Sequence, residues 1–326
     1  MDGILVNIKY GDAREESGDV LVLKYAQANH GLDRIVVNML ERAGLPVREN
    51  LPGIGESFYV KPHTYVTSGG ILFVGVPGLE SFSYKEIREF ARNAVSELGS
   101  NHPNTSKIIF TIHGANFGLD EIEAFEAQIA GIVDAILQNE FPQSLKQIVF
   151  VEFVKPRVRI LTETLNSLFP DGVIPLRRSS ESWNIGDKST EKLRSAGYDS
   201  ASKKRIFVAM PFAEDFDDIY HYGVLGAVKG AGYLCERADL ESFTGDVMEW
   251  VKQRIKTADY VIADLTNGNA NVYLEVGYAW GCNVPTILLV QNSESLKFDV
   301  RGQRCLVYGK IKELEEKLST ELVRLK

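Results

Sequence analysis

Residues 260–282 constrain the fold of this chain most strongly. Tyr260-Val261-Ile262-Ala263 is an apolar run of strand length, and a run apolar on both faces suits the interior of a parallel sheet. Asp264 and Thr266 then fall where that strand ends. Asn267 to Asn269 form a polar loop containing glycine, and Asn271 is a candidate N-cap for a following helix. Glu275 comes about one turn into that helix. The pattern predicts a strand, a short loop and a helix, with one carboxylate on either side of the loop. In open α/β sheets, ligands bind at the carboxyl ends of the strands.

A carboxylate near a helix N-terminus is favoured in its charged form by unsatisfied backbone N–H groups. Facing a sugar, it can attack the anomeric carbon or stabilise an oxocarbenium-like transition state. A second carboxylate can orient a hydroxyl or move a proton. Taken singly, Asp264 and Asn271 also suit turn and cap positions, and Glu275 a solvated helix position. The apolar neighbours Val272, Leu274, Val276, Ala279 and Trp280 weigh against simple solvation of Glu275.

The rest of the chain repeats the alternation. In residues 1–168, strands are expected at 4–8, 20–23, 70–76, 107–112 and 147–153, and helices at 32–43, 83–98 and 122–137. Ser83 with Glu86 three residues on is a capping box. Residues 169–203 lose apolar periodicity and read as a linker, with a short helix near 190–196 and an exposed pair, Arg177 and Arg178. From 204 to 326, strands are expected at 205–210, 233–239, 260–263, 286–291 and 305–308. Helices are expected at 214–229, 246–257, 272–282 and 310–325, the last with Ile311, Leu314, Leu318 and Leu322 along one face.

The parallel ends Met210-Pro211-Phe212, Arg237-Ala238-Asp239 and Asp264-Leu265-Thr266 share an edge with Glu275, and a pocket is expected there. Phe212, Phe243, Tyr273 and Trp250 are candidates to sandwich a flat base. Arg237 is a candidate for a phosphate or base edge, or else a salt-bridge partner of Glu236 or Asp239. In the first half, Gly114 and Gly118 flank a strand-to-helix loop. That loop reads equally as a phosphate cradle and as an ordinary turn followed by the acids Asp120, Glu121 and Glu123.

A net charge of −8 argues against an extended nucleic-acid surface, and no apolar run nears the roughly 20 residues needed to span a membrane. With no signal-peptide pattern, a cytoplasmic location is expected. Cys235, Cys282 and Cys305 show no metal spacing, and no histidine pattern suggests a metal. Cys235 and Cys305 read as core thiols.

Residues 203–309 resemble the nucleoside 2-deoxyribosyltransferase-like family, whose fold is related to TIR domains. The segments that carry this are Arg205 to Phe212, Ala258 to Thr266, Asn269 to Ala279 and Pro285 to Val290. The resemblance implies that Glu275 is the catalytic glutamate and Asp264 its orienting partner. It further implies that Met210, Pro211, Phe212, Arg237, Asp239, Thr266, Asn269 and Asn271 bind substrate. The implied reaction is N-glycosidic bond cleavage in a nucleoside or nucleotide, with no cofactor and in a homo-oligomer. The TIR kinship implies NAD cleavage by an antiphage-type effector as an alternative, and a non-catalytic nucleotide-binding module is a second one. Asn269 stands where deoxyribosyltransferases often carry an aspartate, which leaves room for hydrolysis.

More weakly, residues 18–33, 55–73 and 113–119 resemble a macro domain. That implies a nucleotide site at Asn29, Gly31, Gly114, Asn116 and Gly118. The expected fold class is therefore α/β, with two domains that are each a mainly parallel sheet flanked by helices. The first (1–168) is macro-like, and the second (204–326) is flavodoxin/TIR-like.

Overall fold

The structure, a computed structural model, describes residues 3–61, 66–78, 81–115, 117–176, 187–238, 247–297 and 300–325. It divides into two units. The first comprises Met1–Gly114 and Ile122–Ala201, and the second Ala115–Glu121 and Ser202–Lys326.

In the first unit the strands are β1 (Gly3–Tyr10), β2 (Val20–Tyr25), β3 (Ser57–Val60), β4 (Gly70–Gly75), β5 (Lys107–Thr111), β6 (Gln147–Glu152) and β7 (Val173–Pro175). They form one sheet in the order β3-β4-β2-β5-β6-β1-β7. The interior pairings are parallel, and β3 and β7 run antiparallel at the two edges. The helices are α1 (Gly31–Arg42), α2 (Tyr84–Asn101), α3 (Glu121–Leu137), α4 (Lys155–Leu168) and α5 (Asp187–Ser195). Ser83 and Glu86 close the expected capping box at the start of α2. Buried aromatic rings fill the sheet face: Phe110 stacks on Phe150 at 5.6 Å, and Phe125 meets Phe150 edge-on at 5.2 Å.

Two elements depart from the sequence reading. Helix α4 was not expected; its second residue is Pro156, whose fixed φ and missing N–H suit a first helical turn. Residues 173–175, read as linker, add strand β7 to the edge of β1. Further on, Arg88 donates to the carbonyls of Leu193, Arg194 and Ala196 at 2.8, 3.1 and 2.7 Å and so caps the end of α5. Arg177 and Arg178 lie outside the described residues.

In the second unit the strands are β8 (Arg205–Ala209), β9 (Leu234–Glu236), β10 (Tyr260–Asp264), β11 (Thr286–Val290) and β12 (Cys305–Val307). All pairings are parallel, in the order β12-β11-β10-β8-β9. This is the flavodoxin-like order, and the direction of winding reverses between β8 and β10. The expected helix 214–229 is α6 (Glu214–Asp218) and α7 (Gly226–Gly230), joined by a π-helical stretch at Ile219–Leu225. The remaining helices are α8 (Val247–Thr257), α9 (Ala270–Gly281) and α10 (Ile311–Arg324). Leu314, Leu318 and Leu322 of α10 are fully buried, and α10 packs on the stretch 219–230. Cys235 is buried as expected, whereas Cys305 is only partly covered because β12 is an edge strand.

Candidate functional site

In doubly wound sheets the point of winding reversal is where two neighbouring loops part in opposite directions. Here β10 ends at that point with Asp264, and β8 is followed there by Met210-Pro211-Phe212. After Asp264 the chain turns through Asn267 (φ 62) and Gly268 (φ 65) into α9. The N-cap is Asn269 and not Asn271. The Asn269 side chain accepts from the Asn271 and Val272 amides at 2.9 and 3.4 Å, while Asn271 is already helical and exposed. The helix therefore starts two residues earlier than the sequence suggests, since the left-handed turn at 267–268 brings Asn269 to the capping position.

Helix α9 packs on β10 and β8. Glu275, five residues after the first helical residue, is only 7% exposed. Among the described residues nothing donates a hydrogen bond to its carboxyl and no cation pairs with it. Burial accordingly pushes its pKa from the ordinary 4.5 up to about 7.

Asp264 is placed differently. It is 1% exposed, and both its oxygens are engaged inside the fold. Oδ1 accepts from the Thr266 amide at 2.9 Å, and Oδ2 accepts from the Tyr308 hydroxyl at 2.5 Å. Thr266 Oγ1 in turn accepts from the Gln291 amide at 3.1 Å. Burial, followed by the charge of Asp264, pushes the Tyr308 hydroxyl up, so it stays a proton donor. Asp264, Thr266, Gln291 and Tyr308 thus tie the ends of β10, β11 and β12 together. Asp264 acts as a clamp for the loop that carries α9, and no hydrogen bond joins it to Glu275 among the described residues. Sequence reasoning did not single out Tyr308, although its place at the end of the last parallel strand puts it on the same sheet edge.

At the neighbouring strand ends, Arg237 is buried and donates to the Pro211 carbonyl at 2.8 Å. Its guanidinium lies 3.7 Å from the Phe212 ring centre and 4.6 Å from that of Tyr220. Glu236, one of the two salt-bridge partners considered for Arg237, pairs with Arg254 at 3.2 Å, and Arg254 stacks on Trp250 at 4.9 Å. One face of Phe212 is therefore occupied by a cation. The Tyr273 hydroxyl accepts from the Lys297 amide at 3.2 Å, with the Lys297 ammonium 4.7 Å from its ring. Asp239 and Phe243 lie outside the described residues.

In the first unit, Lys24, Asp33 and His113 form a buried polar cluster that sequence reasoning missed, with Gly31 and Gly114 close in the chain to Asp33 and His113. Lys24 and Asp33 pair at 3.1 Å, both almost fully buried. Burial first, then Lys24, push His113 well below its ordinary pKa, so it is neutral. Its Nε2 and Asn29 Oδ1 are buried polar atoms with no partner among the described residues. The signal available in the sequence was Lys24 itself, a cation inside the apolar run Val20–Tyr25. Gly118 belongs to the second unit. Asn116 lies outside the described residues. Among the described residues no group of three or more His, Cys, Asp or Glu is arranged to hold a metal, and no helix is long and apolar enough to cross a membrane.

No family model matches the sequence, and no curated protein matches it. Solved structures do. The chain is similar to a macrodomain from Oceanobacillus iheyensis with MES bound, at 20% identity over 49% of this chain and 90% of that one, with a TM-score of 0.38. It is similar to the macrodomain of Mycobacterium tuberculosis DarG, at 14% identity over 45% of this chain and 98% of that one, with a TM-score of 0.35. It is also similar to the CMP N-glycosidase BcmB of Clostridium botulinum, at 23% identity over 36% of this chain and 99% of that one, with a TM-score of 0.31.

Proposed function

We propose that the second unit cleaves the N-glycosidic bond of a nucleoside or nucleotide, with Glu275 as the carboxylate at the anomeric carbon. The observation that carries this reading is a buried carboxyl without an ion pair, on the helix that leaves the winding-reversal point, held near pKa 7 by burial. Ionising it in that setting costs about 3 kcal/mol, the distance from 4.5 to about 7 at 1.36 kcal/mol per pKa unit. Positive charge growing on the sugar recovers that cost. The recovery comes in the transition state and not in the neutral ground state, which is what catalysis requires. A module that merely bound an anionic nucleotide would gain nothing from such an acid.

In the reaction, the Glu275 carboxylate forms a bond to the anomeric carbon as the carbon–nitrogen bond breaks with its electron pair on the base. Water then cleaves the glycosyl ester, its hydroxyl going to the sugar and its proton balancing the base. Transfer to a second base is the same step with a nitrogen nucleophile. Arg237, fixed against Phe212, meets a phosphate or base edge, while Asp264 holds the loop. Asn271 and the ends of β8 complete the lining. NAD belongs among the substrates to test, because its nicotinamide–ribose link is an N-glycosidic bond with a cationic leaving group.

For the first unit we propose a nucleotide at Asn29, Gly31 and Gly114, supported by the unpartnered polar atoms of His113 and Asn29. Calorimetric titration with ADP-ribose and AMP tests it, and absence of heat for both sinks it.

The test of the reaction is chromatography of bases released from nucleosides, 2′-deoxynucleoside monophosphates and NAD, with Glu275→Gln as the control. Release that survives undiminished in the variant, or no release from any substrate, overturns the proposal.

A further inference from the structure

Residues 115–121 run between β5 and α3 in sequence, yet they belong to the second unit. Their attachments there are specific. Phe117 forms an antiparallel bridge with Ala238, two residues beyond β9. Gly118 takes φ 75 against Trp250, where an added Cβ would lie 2.2 Å from a ring carbon. Asp120, fully buried, accepts from the Cys235 amide at 2.7 Å and from the Lys229 ammonium at 3.1 Å. Glu121 lies 3.1 Å from His221 Nε2, and His221 Nδ1 lies 2.7 Å from the Asp217 carbonyl. Strand β9 is the last strand of its sheet, so the segment lies along an edge with no strand neighbour in the sheet.

Arg237 sits between the two gripped points, Cys235 and Ala238. Its neighbour Glu236 is held through Arg254 and Trp250 to the same Gly118. The segment also fixes the π-helical stretch through His221, beside Tyr220, on which Arg237 stacks.

We propose that residues 117–121 are the positioning element of the second unit's site, setting where the Arg237 guanidinium meets substrate. This rests on the reading of Arg237 given above and adds the element that aims it. Asp120 is the positioning residue at its centre.

The experiment uses the full chain with Asp120→Ala and Asp120→Asn. Base-release kinetics and backbone hydrogen exchange are measured on each. With Asp120→Ala, the Cys235 N–H loses its acceptor. Exchange across residues 234–238 is expected to rise about tenfold or more, while that of β10 and α9 stays unchanged. KM is expected to rise about tenfold with kcat within about twofold, since Glu275 is untouched. Asp120→Asn keeps an acceptor and is expected to return both readouts to within about threefold of wild type. If Asp120→Ala does not fold, Gly118→Ala displaces the same segment from Trp250 and carries the same KM signature.

Faster exchange at 234–238 with an unchanged KM overturns the proposal, as does unchanged exchange, or a fall in kcat with KM constant. If the wild type releases no base at all, the reaction assignment fails on its own. Exchange then still decides whether the segment holds β9.

Discussion

Glu275→Gln makes the burial of this carboxyl measurable without any substrate. In the folded protein the group binds its proton with a pKa of about 7, against 4.5 for an ordinary glutamate. The folded state thus holds the proton more tightly than the unfolded chain. The resulting stability is fully present below 4.5 and is lost as pH rises through about 7. The whole loss is about 3 kcal/mol, at a slope near 1.4 kcal/mol per pH unit inside the window. Glutamine has nearly the same shape and no titration. Relative to wild type, the variant should therefore gain about 3 kcal/mol between pH 4.5 and pH 8. Urea unfolding at several pH values, followed by the fluorescence of the three tryptophans, of which Trp250 and Trp280 lie in the second unit, gives the two stability curves. Their difference isolates this one group from every other titration. A difference that stays flat within about 1 kcal/mol, or that favours the wild type as pH rises, would refute the claim that Glu275 is buried without a compensating charge.

The same group shapes activity: kcat/KM for base release should rise about tenfold per pH unit below 7 and level off above it, and a profile that falls through this range would show that the protonated form is the working one. Tyr308→Phe removes the donor to Asp264 Oδ2 and should cost about 1–3 kcal/mol in urea unfolding. It should also lower kcat by loosening the loop ahead of α9, and full stability in the variant would count against the clamp. In the first unit, Lys24→Met leaves Asp33 buried without its cation and should cost about 3–5 kcal/mol. Adding Asp33→Leu should recover most of that loss, and a double variant no better than the single would show that the pair is not coupled.

Much of this architecture could be read from the sequence, because parallel strands buried on both faces write themselves as apolar runs. Val20–Leu23, Ile148–Val151 and Val261–Ala263 are such runs, and all are buried strands. The two edge strands of the first sheet carry no such signal. Residues 57–60 and 173–175 each pair on one side only, and their sequences do not distinguish them from loop. The burial of Glu275 was legible in its apolar neighbours, but the role of Asp264 was not. Its two oxygens accept from the Thr266 amide, two residues on, and from Tyr308, 44 residues away, and only the first of these contacts could be read from local spacing.

The stretch after β5 shows how one set of residues supports opposite readings. Gly118 and the acids Asp120 and Glu121 follow a strand and open a helix, which is the arrangement of a phosphate cradle. Yet Gly118 is required by the Trp250 ring and by φ 75, and the first two acids by the Cys235 amide, Lys229 and His221. Glu123 and Glu126, further along α3, are likewise spent on Ser200 and Lys192. Four buried carboxylates in seven residues would be untenable around a bound phosphate. Asp120, Glu123 and Glu126 are stable here because each faces its own donor, and those donors are separated from them by up to 115 residues in the chain. Local spacing encodes the turn, whereas the distant donors decide what the turn is for.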